Sequence, residues 1–205
     1  LLDCGSKMTD PMDLKHYIRV YSKAFSDEIC DKLIDLYEKT KDIPHDETLD
    51  FDDDHKKFNR INLNRKEPFV ADISKIFVEY FDKYYYDTGL KYLPVSSEYE
   101  PVRIKKYPVG GYFKEHIDIW DRDSESRMLA GFVYLNESGG TKFFGELIPA
   151  EKGSLVIFPP HWLYPHEGVT GTEPKYFLGT YQLYPTPKEK EITGREKYEK
   201  DEKST

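Results

Sequence analysis

Cysteine is almost absent from this chain of 205 residues: there are two, Cys4 and Cys30, and neither has a partner at a metal-site spacing such as C-x-x-C. That excludes a cysteine-built metal site and points to a reducing, cytoplasmic compartment. Cys30 falls within a helical pattern, where a small buried thiol is its ordinary role. Long apolar runs are lacking as well. No stretch approaches the ~20 residues that span a bilayer, and no charged, apolar and small-residue series resembles a secretory leader, so no membrane is expected as a partner. Positive charge is in deficit, with 30 Lys and Arg against 38 Asp and Glu and a net charge of −8. Phosphate binding needs the opposite balance on one face, which argues against a general nucleic-acid binder. The acidity reads as a solubility device ahead of long-range steering of a basic peptide.

What is present suits one folded domain. A chain of this length buries roughly 70% of its unfolded surface without a disulfide or structural metal, and aromatic residues, 17 of them tyrosine, make up 15% of it. Residues 1–14 have no periodicity and read as an N-terminal segment outside the domain, in part a cloning remnant. A helix is expected from Ser26, with Ile29, Leu33, Leu36 and Tyr37 on one face. A second should start near Pro68, with Val70, Ile73, Phe77, Tyr80, Phe81 and Tyr84 as its stripe and Gly89 beyond its end. Between them Asp50-Phe51-Asp52-Asp53-Asp54 invites a calcium reading. It fails, because His55 stands where the loop needs Gly and Ile61 where it needs Glu; a solvated acidic loop is expected. From residue 98 short apolar runs alternate with Gly, Pro, Asn and Ser, which suggests an antiparallel sandwich or barrel. The domain is thus residues 15–185, with helical support over 15–97 and a β core over 98–185. The tail 186–205 has six basic and six acidic residues and reads as disordered or as a solvent-exposed helix.

Chemistry concentrates between Tyr107 and Tyr184. His116 and Asp118 are two apart, and in a strand such residues project from one face. His166 comes fifty residues later, in Tyr164-Pro165-His166-Glu167-Gly168-Val169. Two imidazoles and one carboxylate can occupy a face of an octahedron and leave three positions open, as in non-haem Fe(II) oxygenases. His161 competes for the distal position, and the offset from His166 to Lys175 favours His166. Lys175 begins a run in which alternation puts Lys175, Phe177, Gly179 and Tyr181 on one face. If that face is interior, the ammonium needs an anionic partner, and a ligand carboxylate would serve.

His116-x-Asp118, Tyr134-Leu135-Asn136, Gly139-Gly140-Thr141-x-Phe143, His166 and a basic residue nine positions on, in that order, resemble the 2-oxoglutarate and Fe(II)-dependent dioxygenases, most of all the prolyl 4-hydroxylase branch. The resemblance covers about residues 100–185. It implies a mainly β fold with supporting helices, a double-stranded β-helix or cupin-like jelly roll, with the metal at its mouth. His116, Asp118 and His166 would be the iron ligands and the catalytic set. Lys175 would pair with the distal carboxylate of 2-oxoglutarate, and Tyr107 and Tyr134 are the tyrosines matched to cosubstrate contacts. Arg127 and Tyr181 are matched to substrate positions, while Trp162 and His161 are placed at the entrance and Trp120 in the core ahead of the rim. Activity would be hydroxylation of a C–H bond, foremost in a prolyl residue of a protein or peptide, with O2 consumed, 2-oxoglutarate converted to succinate and CO2, and ascorbate as a candidate reductant. A free amino acid or another small molecule is the alternative substrate, and a non-catalytic metal- or carboxylate-binding module the alternative class. The intact Asp118 disfavours halogenation. Two departures bear on the site. The glycine element is one residue tighter than the prolyl hydroxylase form, and strict alternation puts Arg127 on the opposite face from Tyr134, so its substrate role requires a bulge.

Overall fold

A computed structural model describes residues 13–40, 48–63, 68–90 and 92–186; Cys4, most of the N-terminal segment and nearly all of the charged tail lie outside them. A 3-10 turn, Leu14–Tyr17, leads into β1 (Arg19–Tyr21). Helix α1 (Asp27–Thr40) begins as its sequence dictates, with Ser26 Oγ accepting from the Ile29 amide and Asp27 and Glu28 in the first turn, where the helix dipole favours acids. Helix α2 (Pro68–Thr88) ends one residue before Gly89, whose φ of 67° terminates it in the left-handed region.

Residues 48–62, expected as an acidic loop within the helical support, instead form a β-hairpin, β2 (Thr48–Asp52) and β3 (Lys56–Asn62). The Asp53 carboxylate accepts from the His55 and Lys56 amides and closes its turn, so an aspartate that looked like loop chemistry is a turn former. The hairpin joins the barrel: β3 pairs with β4 (Arg103–Tyr107) and with β5 (Tyr112–His116). The remaining strands are β6 (Arg127–Tyr134), β7 (Gly140–Phe143), β8 (Glu146–Pro149), β9 (Leu155–Phe158), β10 (His166–Val169) and β11 (Lys175–Leu183). All the pairings are antiparallel, in the order β1-β9-β6-β11-β4-β3-β5-β10-β7-β8, with β2 outside β3. This curled antiparallel sheet with few helices has the jelly-roll form of a double-stranded β-helix.

Both faces of the long strands are buried, each against something different. On β6, Leu129 and Val133 join Phe77, Phe81 and Tyr84 of α2 in the larger core, while Ala130 and Tyr134 pack with Phe158 and Tyr164 inside the barrel. The five fully buried α2 residues Val70, Ile73, Phe77, Phe81 and Tyr84 would each contribute about 1.5–3 kcal/mol by burial. Gly131 permits that close approach. A Cβ there would stand 2.9 Å from Phe81 Cζ.

The mouth of the barrel is braced by Glu100, which accepts from Arg127 Nε at 2.6 Å and Nη2 at 3.3 Å and pairs with Arg103 Nη1. Arg127 can reach it because β6 carries a bulge: Gln182 is opposite Leu129 and Leu183 opposite Arg127, which leaves Met128 unpaired. One extra residue moves Arg127 to the face of Phe132 and Tyr134. The substitution Gly131→Ala is expected to cost about 1–3 kcal/mol by overpacking the helix against the sheet, read as a lowered urea midpoint with unchanged metal binding. Gly179→Ala, whose Cβ would meet nothing closer than 3.5 Å, should unfold at nearly the native midpoint.

Candidate active site

Two strands and a loop deliver the candidate ligands. His116 ends β5, Asp118 lies two residues beyond it, and His166 opens β10 directly opposite His116 in register. Asp118 is therefore held by the loop and not by the strand: its amide donates to the Pro160 carbonyl at 3.2 Å. His116 Nε2 is 3.6 Å from Asp118 Oδ1 and His166 Nε2 is 3.7 Å from Oδ2. Those separations exceed a hydrogen bond and suit atoms that converge on a shared ion; one donor atom from each residue lies within 4.8 Å of the others.

The protonation pattern fits a cation. His116 Nδ1 contacts the Lys114 carbonyl at 2.8 Å and His166 Nδ1 the Tyr164 carbonyl at 3.2 Å. A carbonyl only accepts, so each Nδ1 carries the hydrogen and each Nε2 offers a lone pair. Burial pushes His166 down to about 4, against the opposing pull of Asp118, so it is a neutral ligand at physiological pH. Burial alone would raise Asp118, but the imidazoles of His166 and His116 and the Lys105 ammonium outweigh it and hold the carboxyl well below its usual range. Phe113 stacks on His116, and Phe143 and Phe158 flank His166, which fixes both rings and limits water.

The triad opens into a cavity whose wall includes Tyr107, Thr141, Lys175 and Tyr181. Lys175, Phe177, Gly179 and Tyr181 all face it, as alternation along β11 requires. Lys175 is 1% exposed. Its ammonium donates to the Gly140 and Val169 carbonyls and has no carboxylate partner among the described residues. Burial, and then repulsion from Lys105, bring it down to about 7. The Tyr107 hydroxyl has no protein hydrogen bond among the described residues, and Tyr107 stands opposite Lys175 in register. A cation without a counter-ion and a free hydroxyl on one rung suit an anionic ligand.

The other expected residues are distributed less uniformly. Tyr134 is not on the cavity wall; its hydroxyl donates to Thr141 Oγ1 at 2.9 Å, and Thr141 is the residue that faces the cavity. Tyr181 lines it, and burial followed by Asp118 raises its hydroxyl well above its ordinary value. Arg127 covers the Tyr181 ring at 4.0 Å and donates to the Asp118 carbonyl at 2.7 Å. Trp162, 73% exposed, and His161 belong to neither cavity wall described here. Trp120, expected in the core, is 59% exposed and lines the outer part of the mouth, beside Lys56. Sequence reasoning missed Arg60, Arg103, Lys105 and Thr141 as wall residues. A signal existed for Lys105, which precedes Tyr107 by two and so shares its face.

No helix among the described residues is long and apolar enough to cross a membrane. Residues 102–182 match the 2OG-Fe(II) oxygenase superfamily. A comparison with curated proteins gives no match. Among solved structures, the fold is similar to a viral collagen prolyl hydroxylase of Paramecium Bursaria Chlorella virus-1 in its 2OG complex, at 19% identity and a TM-score of 0.60 over 80% of this chain and 94% of that one. A prolyl-4-hydroxylase of Pseudomonas putida gives 15% identity and a TM-score of 0.65 over 83% and 94%. A Trichoplax adhaerens prolyl hydroxylase, in complex with a hypoxia inducible factor oxygen degradation domain peptide fragment, gives 14% and 0.63 over 88% of each chain. Residues 102–182, which span the strands that carry the triad and the lysine, match as a 2OG-Fe(II) oxygenase segment, and the chain around them has the fold of the prolyl hydroxylases.

Proposed function

We propose that the enzyme hydroxylates a C–H bond of a prolyl residue in a peptide or protein, with His116, Asp118 and His166 as the iron ligands and Lys175 and Tyr107 as the anchor of 2-oxoglutarate. The observation that carries this reading is the presence, in one cavity, of a two-imidazole, one-carboxylate donor set and a buried ammonium with no protein counter-ion. Prolyl hydroxylation rests on the likeness to prolyl hydroxylases of virus, bacterium and animal, one of which holds a peptide.

When bound, Fe(II) supplies the redox chemistry that couples oxidative decarboxylation of 2-oxoglutarate to insertion of oxygen into the substrate. The protein's part is positional. The Nδ1–H groups of His116 and His166, fixed on backbone carbonyls, keep both Nε2 lone pairs aimed at one point. Lys175 receives the distal carboxylate, and Tyr107 gives it a hydroxyl donor from the facing strand. Thr141, held by Tyr134, adds a further polar contact on the same wall. Phe113, Phe143 and Phe158 keep the donor set dry, so that charge interactions within it are strong.

Under anaerobic conditions, Fe(II) with 2-oxoglutarate should give the weak visible charge-transfer band of the chelate in the native protein and none in His116→Ala. Absence of the band in the native protein, together with absence of succinate once oxygen is admitted, would refute the assignment.

Lys175→Met should weaken 2-oxoglutarate binding by about 10²–10³-fold through loss of a buried charge pair, with iron binding retained. The same variant tests the cost of the buried ammonium. A lysine whose folded value is near 7 and whose unfolded value is about 10.4 carries its full penalty below pH 7 and is relieved as pH rises between the two. Without ligand, Lys175→Met should therefore melt at or above the native temperature at pH 6.5, and the difference should shrink toward pH 10.

Proton linkage follows from the same group. Binding the dianion at pH 8 to 9 should take up close to one proton, and at pH 6 nearly none. Calorimetry in two buffers of different ionisation enthalpy measures this, and Lys175→Met should abolish the uptake.

A further inference from the structure

The cavity continues outward from the triad into a groove that also borders His116, Asp118 and Tyr181. Its wall carries Lys56, Arg60, Arg103, Lys105 and Arg127, a concentration of cations in a chain whose net charge is −8. Arg103 and Arg127 each have an anionic partner, sharing the one carboxylate of Glu100. Arg60 and Lys105 are not: neither forms an ion pair among the described residues.

Strand register makes this pair unusual. Arg60 on β3 is directly opposite Lys105 on β4, and Lys105 is opposite Phe177 on β11. The next rung inward holds Tyr107 and Lys175. Period two puts both rungs on the cavity face. Like charges directly opposite in a sheet are destabilising, and no acid among the described residues forms an ion pair with either. The acids that act on them are already committed, Glu100 to the two arginines and Asp118 to the metal triad. Arg60 Nε is buried with no hydrogen-bond partner, and Lys105 Nζ lies between the Phe58 and Phe177 rings at 5.0 and 5.1 Å. Unpaired donors of this kind are costly unless a ligand completes them.

We infer that the groove takes a substrate bearing a carboxylate, which docks on Arg60 and Lys105 while the carbon to be hydroxylated faces the His116–Asp118–His166 centre. The assignment rests on the hydroxylase reading above and names its substrate class: a prolyl residue beside an acidic side chain, or an amino acid presenting its own carboxylate. The rung at Lys175 serves the cosubstrate and the rung at Arg60 and Lys105 serves the substrate. Aromatic side chains of Phe51, Phe58 and Trp120 form the apolar part of the wall.

Binding can be measured without turnover, because Trp120 borders the groove and is one of only two tryptophans. In a Trp162→Phe background loaded anaerobically with Fe(II) and 2-oxoglutarate, Trp120 fluorescence is titrated with four probes. These are a capped Ala-Glu-Pro-Glu-Ala peptide, its Gln and Lys counterparts, and free L-proline. The Glu peptide or L-proline should bind at least about tenfold more tightly than the Gln and Lys peptides, and weaken strongly with added salt. Whichever of the two binds more tightly identifies the source of the carboxylate. Arg60→Gln should weaken that binding about tenfold or more while leaving the 2-oxoglutarate charge-transfer band, and hence the fold and the inner rung, unchanged, and Lys105→Gln should weaken it by a similar factor. Equal binding of the Gln or Lys peptide, no response to any probe, or loss of the 2-oxoglutarate band instead of probe binding would overturn the inference. Oxygen is then admitted: a bound probe that gains no oxygen atom by mass spectrometry refutes the prolyl hydroxylase reading separately, without touching the binding result.

Discussion

Along Lys175–Leu183 the side chains point alternately toward the helices and toward the cavity, and the rest of the molecule depends on that alternation. Tyr176 and Leu178 belong to the helix-facing core, while Lys175, Phe177, Gly179 and Tyr181 line the cavity. The strand is central in the sheet, with β6 on one side and β4 on the other, so its register sets theirs. Through β4 it places Tyr107 beside Lys175 and Lys105 beside Phe177. Since a one-residue slip would exchange the two faces, fixing β11 fixes both the apolar contact with α2 and the polar lining of the cavity.

Such a cavity works against stability. Lys175 and the facing pair of Arg60 and Lys105 sit where the protein supplies no counter-ion among the described residues, and the larger core between sheet and helices must offset that deficit. The division is visible in composition: the helix-facing cluster is built almost wholly of Leu, Ile, Val, Phe and Tyr. Function and stability are thus separated by sheet face, with the strained charges on one side and their compensation on the other. The acidic exterior and cationic groove make a second division, in which the sign of the whole chain says nothing about the sign of the site.

The helices, the jelly-roll core and the triad were legible in the sequence because each is written locally. Ser26 marks a cap, the α2 stripe has helical spacing, and His116, Asp118, His166 and Lys175 stand in an order and at offsets that can be read directly. The hairpin was not legible. Its aspartates resembled a loop, and its cavity-facing positions, Lys56 and Arg60 among them, are polar because they line a cavity, which erases the usual apolar alternation of a strand. Arg60 gained meaning only from β4, which is more than forty residues away in sequence and adjacent in the sheet. Tyr134 illustrates the converse: its motif singled it out for the cosubstrate, but its depth makes it the support of Thr141 and removes it from the wall.

The unpaired Met128 in β6 gives the mouth of the barrel a particular kind of evolvability. Because that additional residue turns Arg127 inward onto Glu100 and the Asp118 carbonyl, the position of the guanidinium is set by how many residues the strand contains, independently of which they are. Were the strand paired regularly with Met128 opposite Leu183, the arginine would turn to the helix side and leave Glu100 with Arg103 alone. The rim can therefore be reshaped by gain or loss of one bulge while the side chains deeper in the cavity keep their faces.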